Sequence, residues 1–218
     1  MRTLLSLGLI TLLSSWPESS ALDDAGVDAR APSNDTRAPS EDTRAPSEDA
    51  AVAARDAPPV AVAGCAASAI ELIRLVNEYR AANALPAIPA SPSLCRVASA
   101  HTQDLAAHPP SGSCNLHSWS AEGSWGACRY TADHAAAQCM WDKPRELTDY
   151  PGNGFENAFM GSNDPGVALR GWMGSSGHNE VILNRGIWAS HPWNAIGADI
   201  HEGYAVLWFG EENDPASR

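Results

Sequence analysis

No stretch of this chain is apolar for long enough to cross a bilayer. The run near the N-terminus, over residues 3–13, is eleven residues long, roughly half of what a spanning helix needs. No basic patch is present either, which argues against nucleic acid or an anionic membrane surface as partner. None of the five cysteines stands in a C-x-x-C pair, so a zinc knuckle is a poor reading. No cysteine follows the apolar run directly, so no lipid anchor is indicated there. Val62-Ala-Gly-Cys65 has the look of a lipobox but lies too far beyond that run, and Cys65 reads as a cysteine of the folded domain.

What is present divides the chain into three. Arg2, the short apolar run and the small residues Ser19-Ser20-Ala21 predict a secretory signal peptide over 1–21 and a secreted or periplasmic location. Residues 22–64 carry a seven-residue repeat, Asp28-Ala-Arg-Ala-Pro-Ser-Asn and then twice Asp-Thr-Arg-Ala-Pro-Ser-Glu. Without an apolar seam this is no coiled coil, and with Pro in every unit it predicts a disordered, solvated linker. Residues 65–218 have the size of one domain, with sixteen Asp and Glu against nine Lys and Arg. Seven of the eight tryptophans fall there, available for a core or a cleft.

In an exported chain, Cys65, Cys95, Cys114, Cys128 and Cys139 predict disulfides, with four paired and one left over. The connectivity stays open; a Cys65–Cys95 bridge between two helix starts is the preferred pairing. A helix is expected over 66–84, with Leu72, Leu75, Val76 and Tyr79 inward and Arg80 outward. A second begins at Ser91 as cap and Pro92, its stripe formed by Leu94, Val97, Ala98 and Leu105. His101 lies on that stripe and reads as a packed or capping histidine. Residues 109–163 show poor periodicity, as expected of a functional or disulfide-stapled stretch. Asp164-Pro165 opens a third helix, facing inward through Val167, Ala168, Gly171 and Trp172, and Ser176 caps a short one carrying His178. Strands at 195–200 and 204–210 flank a His201-Glu-Gly203 turn, and the apolar Ala205-Val-Leu-Trp-Phe predicts a central strand. Helices first and strands last give an α+β fold.

Three distant segments gather polar chemistry: Cys114-Asn-Leu-His117-Ser-Trp-Ser, Gly154-Phe-Glu156-Asn157 and Trp172-Met-Gly-Ser-Ser-Gly-His178. Together with the 70–80 helix and the closing Tyr204-Ala-Val-Leu-Trp-Phe-Gly strand, they resemble the CAP superfamily, the SCP-like domains of cysteine-rich secretory, antigen 5 and plant pathogenesis-related proteins. The 114–147 segment, with Cys139-Met-Trp and Lys143-Pro-Arg-Glu-Leu, is similar to a bacterial secreted subgroup. The resemblance implies an α-β-α sandwich with a central antiparallel sheet flanked by helices. It also implies a cleft that in some members binds a divalent cation and in others a sterol or fatty acid. Carried over residue by residue, His117, Glu156 and His178 are the metal site, with zinc or a similar cation as cofactor. A second glutamate expected beyond Trp172 is missing; His134 or Glu180 are its possible substitutes. Relatives often carry two adjacent cysteines where this chain has Cys128-Arg129, which would explain the odd count.

Two functions follow. The first is a non-catalytic binding module for a cation, lipid, sterol or extracellular protein, with Ser176 and Trp119 as accessory cleft residues. Within it, Glu156 is a ligand or a supporting acceptor, and the alternative to a metal is a hydrogen-bonded cluster that only fixes the loops. Trp119, Trp125 and Trp141 line an apolar groove or, the preferred reading, form a satellite core. The second function is a metal-dependent, peptidase-like hydrolase with Glu156 as base and Ser118 or Ser176 as nucleophile, for which no oxyanion donor or base–orienter pair is evident.

Overall fold

The structure is a computed structural model and describes residues 61–217. The expected signal peptide and the repeats of the linker lie outside those residues. Helix α1 (Ala67–Ala82) buries Ala69, Leu72, Ile73 and Val76. Its inner face is turned slightly from the expected one: Leu75 and Tyr79 are half-buried, whereas Arg80 is buried. The Arg80 guanidinium is tolerated because it donates to Pro86 O, Ile182 O and Asn184 Oδ1.

Helix α2 (Pro92–Ala107) starts as the sequence predicts, with Ser91 Oγ accepting from Leu94 N at 3.0 Å and Pro92 in the first turn. A second cap comes from the far end of the chain. The Asp214 carboxylate accepts from Ser91 Oγ (2.6 Å), Ser93 N (2.8 Å) and Ser93 Oγ (2.9 Å). Burial raises its pKa, and these donors outweigh burial and hold it below the usual carboxylate range.

The stretch expected to be irregular contains two short helices, α3 (Ala137–Trp141) and α4 (Lys143–Leu147), and strand β1 (Phe155–Met160). Helices α5 (Pro165–Met173, capped by Asp164) and α6 (Ser176–Ile182) follow, then β2 (Ala195–His201) and β3 (Tyr204–Gly210). On α5 the buried residues are Ala168, Leu169 and Trp172, so the inner face is turned toward Leu169, leaving Val167 half-buried and Gly171 exposed. Glu202 and Gly203 both have positive φ (46° and 85°), the signature of the tight turn that matches strand twist.

The sheet is antiparallel in the order β1-β3-β2, which puts the apolar β3 in the centre. Alternation along β3 supplies two cores. Ala205, Leu207 and Phe209 pack with α1, α5 and α6. Val206 and Trp208 pack with α2, Trp119, Tyr130, Met140 and Tyr150. The fold is therefore α+β, a sheet covered on both faces. Gly197 of β2 permits a close approach of strand to helix backbone, since a Cβ there would lie 2.2 Å from the Leu94 backbone carbon.

Disulfides join Cys65 to Cys95 and Cys128 to Cys139, and Cys114 keeps a free thiol. The second bridge staples the 109–150 stretch. Lys143, the chain's one lysine, is buried there beneath Trp119, its ammonium donating to Gly126 O and Glu146.

Candidate functional site

Strand β1 lies at the edge of the sheet, and consecutive residues on it face opposite layers. Glu156 turns toward α2, and its carboxylate is fully shielded from solvent. Asn157 turns the other way, and its side-chain amide donates to His178 O at 3.0 Å. One dipeptide thus braces both sides of the site, so the strand needs polar residues where its neighbours are apolar.

Both Glu156 oxygens are taken by imidazoles. His101 Nδ1 binds Oε1, and His117 Nδ1 donates to Oε2 at 2.8 Å. Burial alone would raise the Glu156 pKa. The His101 charge, with hydrogen bonds from both histidines, overcomes that and holds it below the usual carboxylate range. Because Nδ1 of His117 is spent on the carboxylate, its neutral ring keeps a lone pair on Nε2. The His117 side chain is 19% exposed, unlike Glu156 behind it.

His178 sits in the first turn of α6, as the sequence predicts, but the capping position belongs to Ser175 rather than Ser176. Ser175 Oγ and His178 Nδ1 are 2.7 Å apart. The whole α6 turn is held to α1 by Tyr79 Oη donating to Asn179 Oδ1 at 3.0 Å. Burial pulls the His178 pKa down, the like charge of His117 adds to this, and Glu156 opposes it. His178 is therefore biased toward the neutral imidazole that ligates metals. Tyr130 lies edge-on to His117 with ring centroids 5.1 Å apart. Burial, then the Glu156 charge, push its phenol up to about 12, so it stays protonated.

The sequence-derived residues divide accordingly. His117 contacts Glu156 directly and His178 lies near enough to feel the charge of both, but both Glu156 oxygens are taken by histidines, leaving none free for a cation. Among the described residues no three His, Cys, Asp or Glu side chains form a metal-holding group. His134 does not replace the missing carboxylate: its Nδ1 meets the Tyr130 hydroxyl at 2.8 Å. Glu180 stands two positions beyond His178, about 200° around the helix, and packs its carboxylate against Gly186. Ser176 is exposed at the start of α6. Trp119 is no cleft wall; it is buried and stacks on His101, centroids 4.2 Å apart. The hydrolytic assignments fare poorly on the same geometry. Ser118 Oγ is engaged by Tyr130 O and Tyr130 N (3.1 and 3.0 Å), and a Glu156 with lowered pKa and two histidine donors is a weak base. His101 was legible as a packed residue; its partner on β1 was not, because only the tertiary fold brings residues 101 and 156 together.

Residues 73–187 match the profile of the cysteine-rich secretory protein family (CAP). Similar solved structures include a cysteine-rich secretory protein from Staphylococcus aureus, 21% identical, covering 66% of this chain and 38% of its own, TM-score 0.45. An extracellular protein containing an SCP domain from Bacillus anthracis is 16% identical, covering 66% and 40%, TM-score 0.48. An outer surface protein from Borrelia burgdorferi is 14% identical, covering 66% and 91%, TM-score 0.45. The chain thus spans well under half the length of the first two. No curated protein matches it at the sequence level.

Proposed function

The chain belongs to the cysteine-rich secretory protein (CAP) family, and from that premise we propose that it is an exported, non-catalytic binding module whose His117–His178 cleft takes a divalent cation. One observation carries this reading. Glu156 accepts from His117 Nδ1, leaving Nε2 as a lone-pair donor, and a second histidine, His178, biased toward neutrality, is near enough to feel the His117 charge. A carboxylate behind a histidine is the arrangement that orients and strengthens an imidazole ligand. Two imidazoles suit zinc, copper or nickel, and they are poor donors for calcium or magnesium, which need oxygen. With two protein ligands, the remaining coordination positions go to water or to a group on the binding partner.

Trp119, Trp125 and Trp141 form the satellite core that the sequence favours over an apolar groove: Trp119 is buried, and Trp125 and Trp141 pack against the same cluster. The test is a zinc titration of purified protein against the His117→Ala/His178→Ala double variant. We expect one zinc per chain in the parent and none in the variant, with chelation lowering the thermal midpoint. An equal stoichiometry in both proteins, or no binding by the parent, would refute the cleft.

A further inference from the structure

The polar contacts behind the cleft reach further than Glu156. His101 and Asp104 stand one turn apart on the same face of α2, both buried, and both grip the loop that carries His117. Ser118 O can only accept, so His101 Nε2 donates to it, at 3.0 Å. Asp104 accepts from Ser120 N at 2.7 Å and from Ser120 Oγ. Across the loop, Trp119 and Cys128 exchange backbone hydrogen bonds of 2.8 and 3.0 Å, anchored by the Cys128–Cys139 bridge.

Counting protons fixes the rest. Ser118 O takes the hydrogen of Nε2, and Glu156 takes that of His117 Nδ1. His101 Nδ1 and Glu156 Oε1 must then share one further proton, since two bare lone pairs would repel. With that proton the His101–Glu156 pair is neutral overall. The carboxylate is compensated from behind and faces the cleft only through His117.

We propose that His101, assisted by Asp104, is the positioning residue of the cleft: it compensates Glu156, fixes that carboxylate toward His117 and thereby sets the His117 tautomer. The proposal rests on the cation reading for its affinity consequence but not for the tautomer. Nothing in it requires His101 to touch a ligand. Its stacking on Trp119 explains why an aromatic ring is used, and its two opposed acceptors explain why that ring is an imidazole.

The experiment pairs two measurements on the full chain. Long-range proton–nitrogen NMR of the histidine rings, without metal, reads the tautomers; zinc titration reads affinity. The parent should show His117 protonated at Nδ1 and bare at Nε2. His101→Phe keeps the stack on Trp119 but deletes both donors. It should give a mixture of His117 tautomers and bind zinc about 10- to 100-fold more weakly. His101→Gln, which retains an amide donor, should fall between the two and decides the matter if the Phe variant does not fold. Unchanged tautomer and unchanged affinity in a folded His101 variant would overturn the proposal, as would a parent His117 protonated at Nε2. A parent that binds no zinc refutes the cation reading alone, and the tautomer measurement still judges His101.

Discussion

Glu156 concentrates the risks of this fold in one side chain. It carries a charge in a fully shielded place, which is tolerable only while two histidines serve it. Replacing it by Gln keeps the shape but removes the anion that both rings address. We expect Glu156→Gln to cost about 3–5 kcal/mol, in line with breaking a buried ion pair, measured by urea unfolding. A loss below about 1 kcal/mol would show that the pair carries no charge. Gly197 is a second sensitive residue for a steric reason. A methyl group there would run into the α2 backbone, so Gly197→Ala should destabilise by about 1–3 kcal/mol by overpacking, read from the same titration.

At the level of elements, the ends of α2 and α5 were readable because their caps are local. Ser91-Pro92 and Asp164-Pro165 announce themselves within three residues, and both side chains accept the expected hydrogen bond. The closing hairpin was readable from its turn and its apolar strand. Strand β1 was not, because Glu156 and Asn157 break its apolar pattern and are satisfied only by residues far away in sequence. The Asp214 cap was hidden for the same reason. Its removal in Asp214→Ala leaves Ser93 N without its acceptor, at a cost of about 1–2 kcal/mol. A thermal scan should show the midpoint fall; an unchanged midpoint would mean that water replaces the carboxylate. The Cys128–Cys139 bridge closes a short loop, and replacing both cysteines by Ser should cost about 2–3 kcal/mol and loosen the His117 segment that pairs with it.

For the molecule as a whole, these groups predict how stability follows pH. Glu156 and Asp214 hold their protons less tightly in the fold than in the open chain. Their contribution is complete above the unfolded carboxylate range, about pH 4, and is lost as pH falls through their lower folded values. His178 is also depressed. Its share is complete above about pH 6.5 and erodes below it, because the open chain takes up the proton first. Thermal midpoints should therefore decline in two stages on acidification, gently below neutrality and steeply in strong acid. In Asp214→Asn the second stage should be shallower. A midpoint indifferent to pH between 7 and 3 would contradict all three groups.

Lys143 has a practical consequence. The chain contains one lysine, and the fold encloses it between the Gly126 carbonyl, Glu146 and Trp119. In the native protein an amine-reactive ester should therefore find no lysine to acylate, and mass spectrometry should show position 143 unmodified after brief exposure. Each acylation of Lys143 that does occur records an opening of the stapled segment beside the cleft. Its rate is a clock for the breathing of that segment, one the protein carries without any introduced label, and rapid modification under native conditions would show the enclosure to be short-lived.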